Sequence, residues 1–234
     1  MNETIPKNIL EQVTAIEGCE GIMFTGSRQQ GTATKESDWD FYVLLEDDQK
    51  SFRKTWVLEG IFIEVFCNTL DSINTNELVT TKISNPALRM LATGYIALDK
   101  KGRLKEIQDH ARQIYEAGPP VLTDEDKGHI GYMLRNIIDD LNSLDKLSVL
   151  GYHLQNTALV TAIESFYKFE RKWMAKPRYI EDDIQQIDQK WADLFFRANT
   201  ITGKEKGEAI IGLITSLATN YDIPLTGEVF QVRA

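Results

Sequence analysis

The segment from Gly21 to Glu46, which sets the architecture of the first half of the chain, reads GIMFTGSRQQGTATKESDWDFYVLLE. A short apolar strand at 22–24 leads into the turn Gly26-Ser27, and a polar linker separates it from a second strand, Trp39–Leu45. Glycine in such a turn lets the backbone approach a phosphate, and serine adds a hydroxyl group. The turn alone is weak evidence, because many strand-to-helix turns use these residues for conformational reasons.

Two aspartates, Asp38 and Asp40, stand two residues apart where the second strand begins. Because side chains alternate along a strand, both carboxylates are predicted on one face, with Trp39, Phe41 and Val43 facing the core. Two adjacent carboxylates repel each other unless a cation lies between them. Oxygen ligands favour a hard divalent ion, with Mg²⁺ the default when phosphates complete its coordination shell.

A third acid, Glu64, lies in the apolar segment IFIEVF of a neighbouring predicted strand. A lone acid there is costly without a partner, and a shared metal would supply one. A strand with one solvated face is an equally open alternative, because such alternation is common in antiparallel sheets.

The pattern GSRxxGTAxxxSDxDF over residues 26–41, followed by Glu64, resembles the nucleotidyltransferase superfamily that includes DNA polymerase β. The resemblance covers about residues 20–66. It implies that Asp38, Asp40 and Glu64 hold two Mg²⁺ ions and are the catalytic acids. The nucleotide-binding residues that it implies in this segment are Gly26, Ser27, Arg28, Thr32 and Ser37.

A looser resemblance links the run FERKWMAKPRY over residues 169–179 to antibiotic nucleotidyltransferases acting on aminoglycosides or lincosamides. It implies that Lys176 and Arg178 reach the nucleotide phosphates, although a solvated basic helix end explains them equally well. The implied reaction moves AMP from ATP, or the monophosphate of another nucleoside triphosphate, to a hydroxyl of a small acceptor and releases pyrophosphate. The general base stays open among Glu64, Glu164, Asp139 and Asp140.

The organisation of the chain follows from periodicity and from the break Gly118-Pro119-Pro120. We expect an α/β (α+β) nucleotidyltransferase fold with a small mixed sheet over residues 1–118, and an all-α bundle that binds the substrate over residues 119–234. The predicted helices span 5–17, 27–30, 69–82, 85–92, 103–116, 123–147, 151–173, 180–198 and 204–220. The predicted strands span 22–24, 39–45, 55–58, 61–66 and 95–99, and 229–232 forms either a strand or a docked tail.

Composition narrows the choice of partners. The chain has 234 residues and a net charge of −9, and neither half is a basic platform, which argues against long nucleic acid. We expect a cytoplasmic protein without a secretory signal or membrane span, and a homodimer is compatible with the sequence. Cys19 and Cys67 are predicted to be buried thiols, and the three histidines lack the spacing of a zinc site.

Two other functions remain open for this fold. An antitoxin-type protein adenylyltransferase would use the same motif, but such proteins are usually little more than the first domain. A non-catalytic module that binds or senses nucleotides would keep the fold without the reaction, and the presence of all three acids counts against it.

Overall fold

The computed structural model describes residues 4–78 and 82–225. The chain divides into two compact units, Met1–Gly118 and Pro119–Ala234. The predicted class, an α/β domain with a small mixed sheet followed by helices, is confirmed. The roles proposed for the two domains stay predictions. Among the described residues, no helix combines the length and the apolar character needed to cross a bilayer.

The first unit is built around one sheet. Its described elements are α1 (Lys7–Thr14), β1 (Cys19–Thr25), α2 (Gly26–Gln30), β2 (Trp39–Leu45), β3 (Phe52–Leu58), β4 (Ile61–Thr69), α3 (Leu70–Ser72), α4 (Pro86–Thr93), β5 (Tyr95–Asp99) and α5 (Arg103–Ala117). The strands run in the order β3-β4-β2-β1-β5. Among the described strands, β2 and β4 pair in parallel and the other three pairs are antiparallel.

The hairpin between β3 and β4 fixes the position of the third acid. Its two-residue turn, Glu59-Gly60, has positive φ at both positions, 53° and 80°, which matches the twist of antiparallel strands. The parallel pairing of β2 with β4 then sets Asp40 directly opposite Glu64. A shift of one residue would send either side chain to the opposite face.

One face of the sheet forms the core of the first unit. Trp39, Phe41 and Val43 lie there, as the alternation predicts, together with Ile9 and Val13 of α1. The ring centroids of Trp39 and Phe41 are 6.5 Å apart. This packing leaves the carboxylates of β2 and β4 on the other face.

Cys19 and Cys67 are buried and free, as predicted, and burial raises the pKa of the Cys67 thiol to about 12.

An ion cluster around the buried Glu20, defined by Glu20, Arg103, Lys101 and Asp47, links β1 to α5. The Glu20 side chain is fully buried. Arg103 donates from Nε to Oε1 at 2.5 Å and from Nη2 to Oε2 at 2.7 Å, and Lys101 Nζ lies 3.0 Å from Oε2. These donors, Arg103 first, hold the pKa of the Glu20 carboxyl below its usual range.

The second unit is helical. Its described helices are α6 (Asp124–Ser143), α7 (Val149–Phe169), α8 (Ile180–Ile187), α9 (Gln189–Thr200) and α10 (Glu205–Asn220). Thr123 caps α6 in a reciprocal capping box with Asp126. Phe166 of α7 and Trp191 of α9 stack with ring centroids 4.0 Å apart, so aromatic packing joins these two helices.

The single helix predicted over 180–198 is wrong, because the chain is extended at Asp188 (φ −149°, ψ 102°). The Asp188 carboxylate accepts hydrogen bonds from the backbone N–H groups of Lys190 (2.9 Å) and Trp191 (3.0 Å). An aspartate in this position satisfies the first amide groups of a new helix. The acid therefore starts α9 and does not continue α8.

Several other helix boundaries also differ from the prediction, and α1 (Lys7–Thr14) is shorter than the predicted helix over 5–17. The helix α6 ends at Ser143, before 147, because Leu144 is extended, and Ser148 caps α7 two residues earlier than expected. At the other end of α7, Arg171 has a φ of 54°, so the helix cannot reach 173. The helix predicted over 69–82 consists of α3 and a π-helical turn, Ile73–Glu77, while 79–81 and the predicted strand 229–232 lie outside the described residues.

Candidate active site

Three carboxylates meet on the face of the sheet opposite the core. Asp38 precedes β2, Asp40 belongs to β2 and Glu64 to β4. Each of the three is half-buried, and one carboxylate oxygen from each lies within 4.8 Å of the other two. The structure thus brings together all three acids that the sequence motif indicates. Oxygen atoms at this spacing can share a hard divalent cation.

Gly26 is required by the position of Asp40. It has a φ of 79°, which other residues rarely adopt, and a Cβ atom there would overlap Asp40 Oδ2 and lie 2.8 Å from Cγ. The Asp40 carboxylate therefore packs directly against the backbone of the Gly26-Ser27 turn. This contact places the turn, where a phosphate could approach, beside one of the three acids.

Thr25 is a further polar residue on the same face. It lies opposite Asp40 in the pairing of β1 with β2, and cross-strand partners place their side chains on one face. Thr25 is 2% exposed, and its hydroxyl oxygen has no hydrogen-bond partner in the described part of the chain. Buried hydroxyl groups are rarely left unpaired in folded proteins, so this one can serve a ligand of the site.

Arg28 connects α2 to the beginning of β2. Its Nε donates to the backbone carbonyl groups of Ser37 (3.0 Å) and Asp38 (3.2 Å), and its Nη2 donates to Ser37 (2.5 Å). The guanidinium group also lies 5.1 Å from the centroid of the Trp39 ring. These contacts hold the segment that carries Asp38, whereas the predicted contact of Arg28 with a nucleotide stays a prediction.

The other predicted nucleotide-binding residues of the first unit shape the linker. The Thr32 backbone N–H donates to the carbonyl of Ser27 at 2.9 Å, directly after Gly31 ends α2 in the left-handed conformation. The Ser37 hydroxyl accepts from the backbone N–H of Thr34 at 2.8 Å. The linker between α2 and β2 is therefore folded back by local hydrogen bonds.

Lys176 and Arg178 belong to the second unit. Both are exposed, at a 3₁₀ turn that precedes α8. The Arg178 guanidinium lies 5.8 Å from the centroid of the Tyr179 ring. Their role at the nucleotide phosphates stays a prediction.

The candidates for the general base differ in their surroundings. Glu164 is half-buried on α7, whereas Asp139 and Asp140 are exposed on α6. Asp139 accepts hydrogen bonds from Arg135 Nε at 2.8 and 3.0 Å.

Two residues of the site, Arg53 and Thr25, were missed by the sequence reasoning. Arg53 donates from Nε to Glu64 Oε1 at 2.7 Å, and Nη2 contacts the same oxygen. The signal for Arg53 was the two-residue turn of the hairpin, which pairs Thr55 with Glu64 and Arg53 with Phe66. The signal for Thr25 was its place one residue before the Gly26-Ser27 turn.

No protein-family model matches the sequence, and no curated protein does. Among solved structures, the chain is similar to a nucleotidyltransferase-like protein from Exiguobacterium sibiricum 255-15, with a TM-score of 0.52 at 12% sequence identity. The match covers 92% of this chain and 73% of the other. At this identity the likeness concerns the fold, which is that of a nucleotidyltransferase-like protein.

Proposed function

We propose that this chain is a Mg²⁺-dependent nucleotidyltransferase that transfers AMP from ATP to a hydroxyl group of a small acceptor. The observation that carries the proposal is the cluster of Asp38, Asp40 and Glu64 beside the Gly26-Ser27 turn. The fold likeness supports the class of reaction. The looser sequence resemblance alone suggests an aminoglycoside- or lincosamide-type acceptor, and with it a role in antibiotic resistance.

The residues of the cluster fit a hard divalent cation. Their donor atoms are carboxylate oxygens, which Mg²⁺ prefers over nitrogen or sulfur. The unpartnered hydroxyl of Thr25 adds a neutral oxygen on the same face. When bound, Mg²⁺ would neutralise the charge that develops on the phosphate oxygens during transfer.

The turn that abuts Asp40 would hold the β- and γ-phosphates. Gly26 carries no side chain, so a phosphate oxygen can reach the backbone amide groups, and the Ser27 hydroxyl can donate a hydrogen bond. Arg28 keeps the linker in place through the Ser37 and Asp38 carbonyl groups. Lys176 and Arg178 are further phosphate-binding candidates in this proposal, on the basis of the looser sequence resemblance alone.

The proposed reaction is an in-line displacement at the α-phosphorus. The acceptor oxygen forms a bond to phosphorus, the bond to the oxygen that bridges the α- and β-phosphates breaks, and pyrophosphate leaves with the electron pair. The hydroxyl proton passes to a base. Glu64, Glu164, Asp139 and Asp140 remain the candidates for this base.

A pyrophosphate-release screen tests the proposal. Wild-type protein with Mg²⁺ and ATP is offered aminoglycosides, lincosamides and nucleosides, beside Asp40→Asn and the control Asp48→Asn. Asp48 is an exposed acid of the same unit outside the cluster. We expect pyrophosphate release with at least one acceptor, retained in Asp48→Asn and lost in Asp40→Asn.

Full turnover in the Asp38→Asn/Asp40→Asn double variant would refute the metal assignment. Calorimetric binding of ATP without formation of product would favour a nucleotide sensor.

A further inference from the structure

Arg53 reaches from the edge strand β3 to the third acid of the cluster. Its Nε donates to Glu64 Oε1 at 2.7 Å, and its Nη2 contacts that same atom. Among the described residues, Glu64 Oε2 has no hydrogen bond. The carboxylate is therefore held through one oxygen, while the other is available to a ligand.

The guanidinium group of Arg53 is itself held in place. It lies 4.8 Å from the centroid of the Phe66 ring, its cross-strand partner, which lies on the same face as Glu64. A cation above an aromatic ring is attracted to its face. The Arg53 side chain is 62% exposed, whereas that of Glu64 is 12% exposed. The arginine thus approaches from solvent and contacts an acid that is largely enclosed.

We propose that Arg53 is a positioning residue, which orients Glu64 so that Oε2 faces the metal site. This inference rests on the proposed function, because it assigns to the cluster a divalent cation. Residues that hydrogen-bond a metal ligand fix its orientation, and their loss typically weakens metal affinity or activity by about 10- to 100-fold. The planar fork of arginine suits this task better than the single ammonium group of lysine.

Arg53 also brings a positive charge close to a site for a cation, which opposes metal binding. The guanidinium is more than half exposed, so water and salt screen that repulsion. The orientation of a largely enclosed carboxylate is not screened in this way. We therefore expect the loss of orientation to outweigh the relief of repulsion when Arg53 is removed.

The test is a Mn²⁺ titration followed by electron paramagnetic resonance, without nucleotide or acceptor, on wild type, Arg53→Ala, Arg53→Lys and Lys54→Ala. Lys54→Ala is the matched control, because this substitution also removes one positive charge from β3. The Lys54 ammonium group lies 5.5 Å from the Trp56 ring centroid, and its place one residue along the strand directs it to the opposite face. Melting temperatures of all variants show whether the fold is kept.

We expect Arg53→Ala to bind Mn²⁺ about tenfold more weakly than wild type. Arg53→Lys recovers part of the loss, and Lys54→Ala binds like wild type. Equal or tighter binding by folded Arg53→Ala overturns the inference and leaves the proposed function intact. If wild type binds no more Mn²⁺ than the Asp38→Asn/Asp40→Asn variant, the metal site of the proposed function fails, and the role of Arg53 fails with it.

Discussion

Two glutamate–arginine pairs on the same sheet differ in how completely the carboxylate is bound. Both oxygens of Glu20 are bound, by Arg103 and Lys101, and its side chain is fully buried. Within the described part of the chain, only Oε1 of Glu64 is bound, by Arg53, and two further acids lie beside it. A buried carboxylate held through both oxygens by basic side chains is tied to the fold around it. One with an available oxygen beside other acids keeps the capacity to bind a cation.

The largest expected effect is a loss of turnover in Glu64→Gln, which changes the glutamate that has an available oxygen. Glu64→Gln keeps an oxygen that can accept from Arg53, so we expect an unchanged melting temperature. It loses the ionised ligand, and loss of several kcal/mol of charge stabilisation corresponds to about a thousandfold lower turnover. Steady-state pyrophosphate release and thermal unfolding measure the two quantities. Near-wild-type turnover would remove Glu64 from the active site.

The next effect concerns the contact between Gly26 and Asp40. In Gly26→Ala the new methyl group overlaps the Asp40 carboxylate, and a displacement of about 1 Å at a reacting group can cost about a hundredfold in turnover. Gly60→Ala is the control, because Gly60 has a similar φ of 80° with nothing within 4 Å of an added Cβ. Gly60→Ala should lose about 1–2 kcal/mol of unfolding free energy because of its positive φ, Gly26→Ala should lose more because of the overlap, and only Gly26→Ala should lose turnover in the protein that stays folded. Equal turnover in the two would refute the importance of this contact.

A smaller effect, on stability, is expected at the Glu20–Arg103 pair. Glu20→Gln removes the charge that Arg103 and Lys101 bind, and we expect a loss of about 2 kcal/mol in the free energy of unfolding. Turnover below the melting temperature should stay near wild type, because the ion cluster contains none of the three acids. Urea unfolding measures the free energy of unfolding, and pyrophosphate release at the same temperature measures turnover. A stable but inactive Glu20→Gln protein would contradict this comparison, because it would assign Glu20 to the reaction and not to stability.

The smallest effect is the pH dependence of that stability. Arg103 holds the pKa of Glu20 below its usual range, so its contribution is fully present above the unfolded-state value of about 4.3. It is lost as the pH falls through the lower pKa of the folded state. Wild type should therefore lose unfolding free energy below about pH 4 more steeply than Glu20→Gln. Parallel pH profiles in urea titrations would show that Glu20 does not carry this dependence.

Sequence reasoning predicted local features best. The bounds of β2 agree with the prediction, because a segment rich in aromatic and aliphatic residues identifies that strand. The shared face of Asp38 and Asp40 follows from the two-residue period of a strand. Glycine is needed at position 26 for two reasons. Its φ is positive, and Asp40 of another strand approaches so closely that a Cβ atom would overlap its carboxylate. Such a contact cannot be read from local sequence.

The failures have equally local causes. The prediction began the third strand at Thr55, because the segment FRK of the exposed edge strand lacks the apolar alternation of a half-buried strand. It therefore omitted Arg53. The helical period of the segment 180–198 concealed the cap at Asp188, where a side-chain hydrogen bond ends one helix and starts another.

The most direct test of the central claim follows the phosphorus atoms of ATP. Protein with Mg²⁺ and an acceptor from the screen is incubated with ATP labelled on either the α- or the γ-phosphate, beside the Asp38→Asn/Asp40→Asn variant. We predict that the α-label enters the acceptor, that the γ-label leaves in pyrophosphate, and that the variant transfers neither. Transfer of the γ-label to the acceptor, or equal transfer by the variant, would contradict nucleotidyl transfer at this carboxylate cluster.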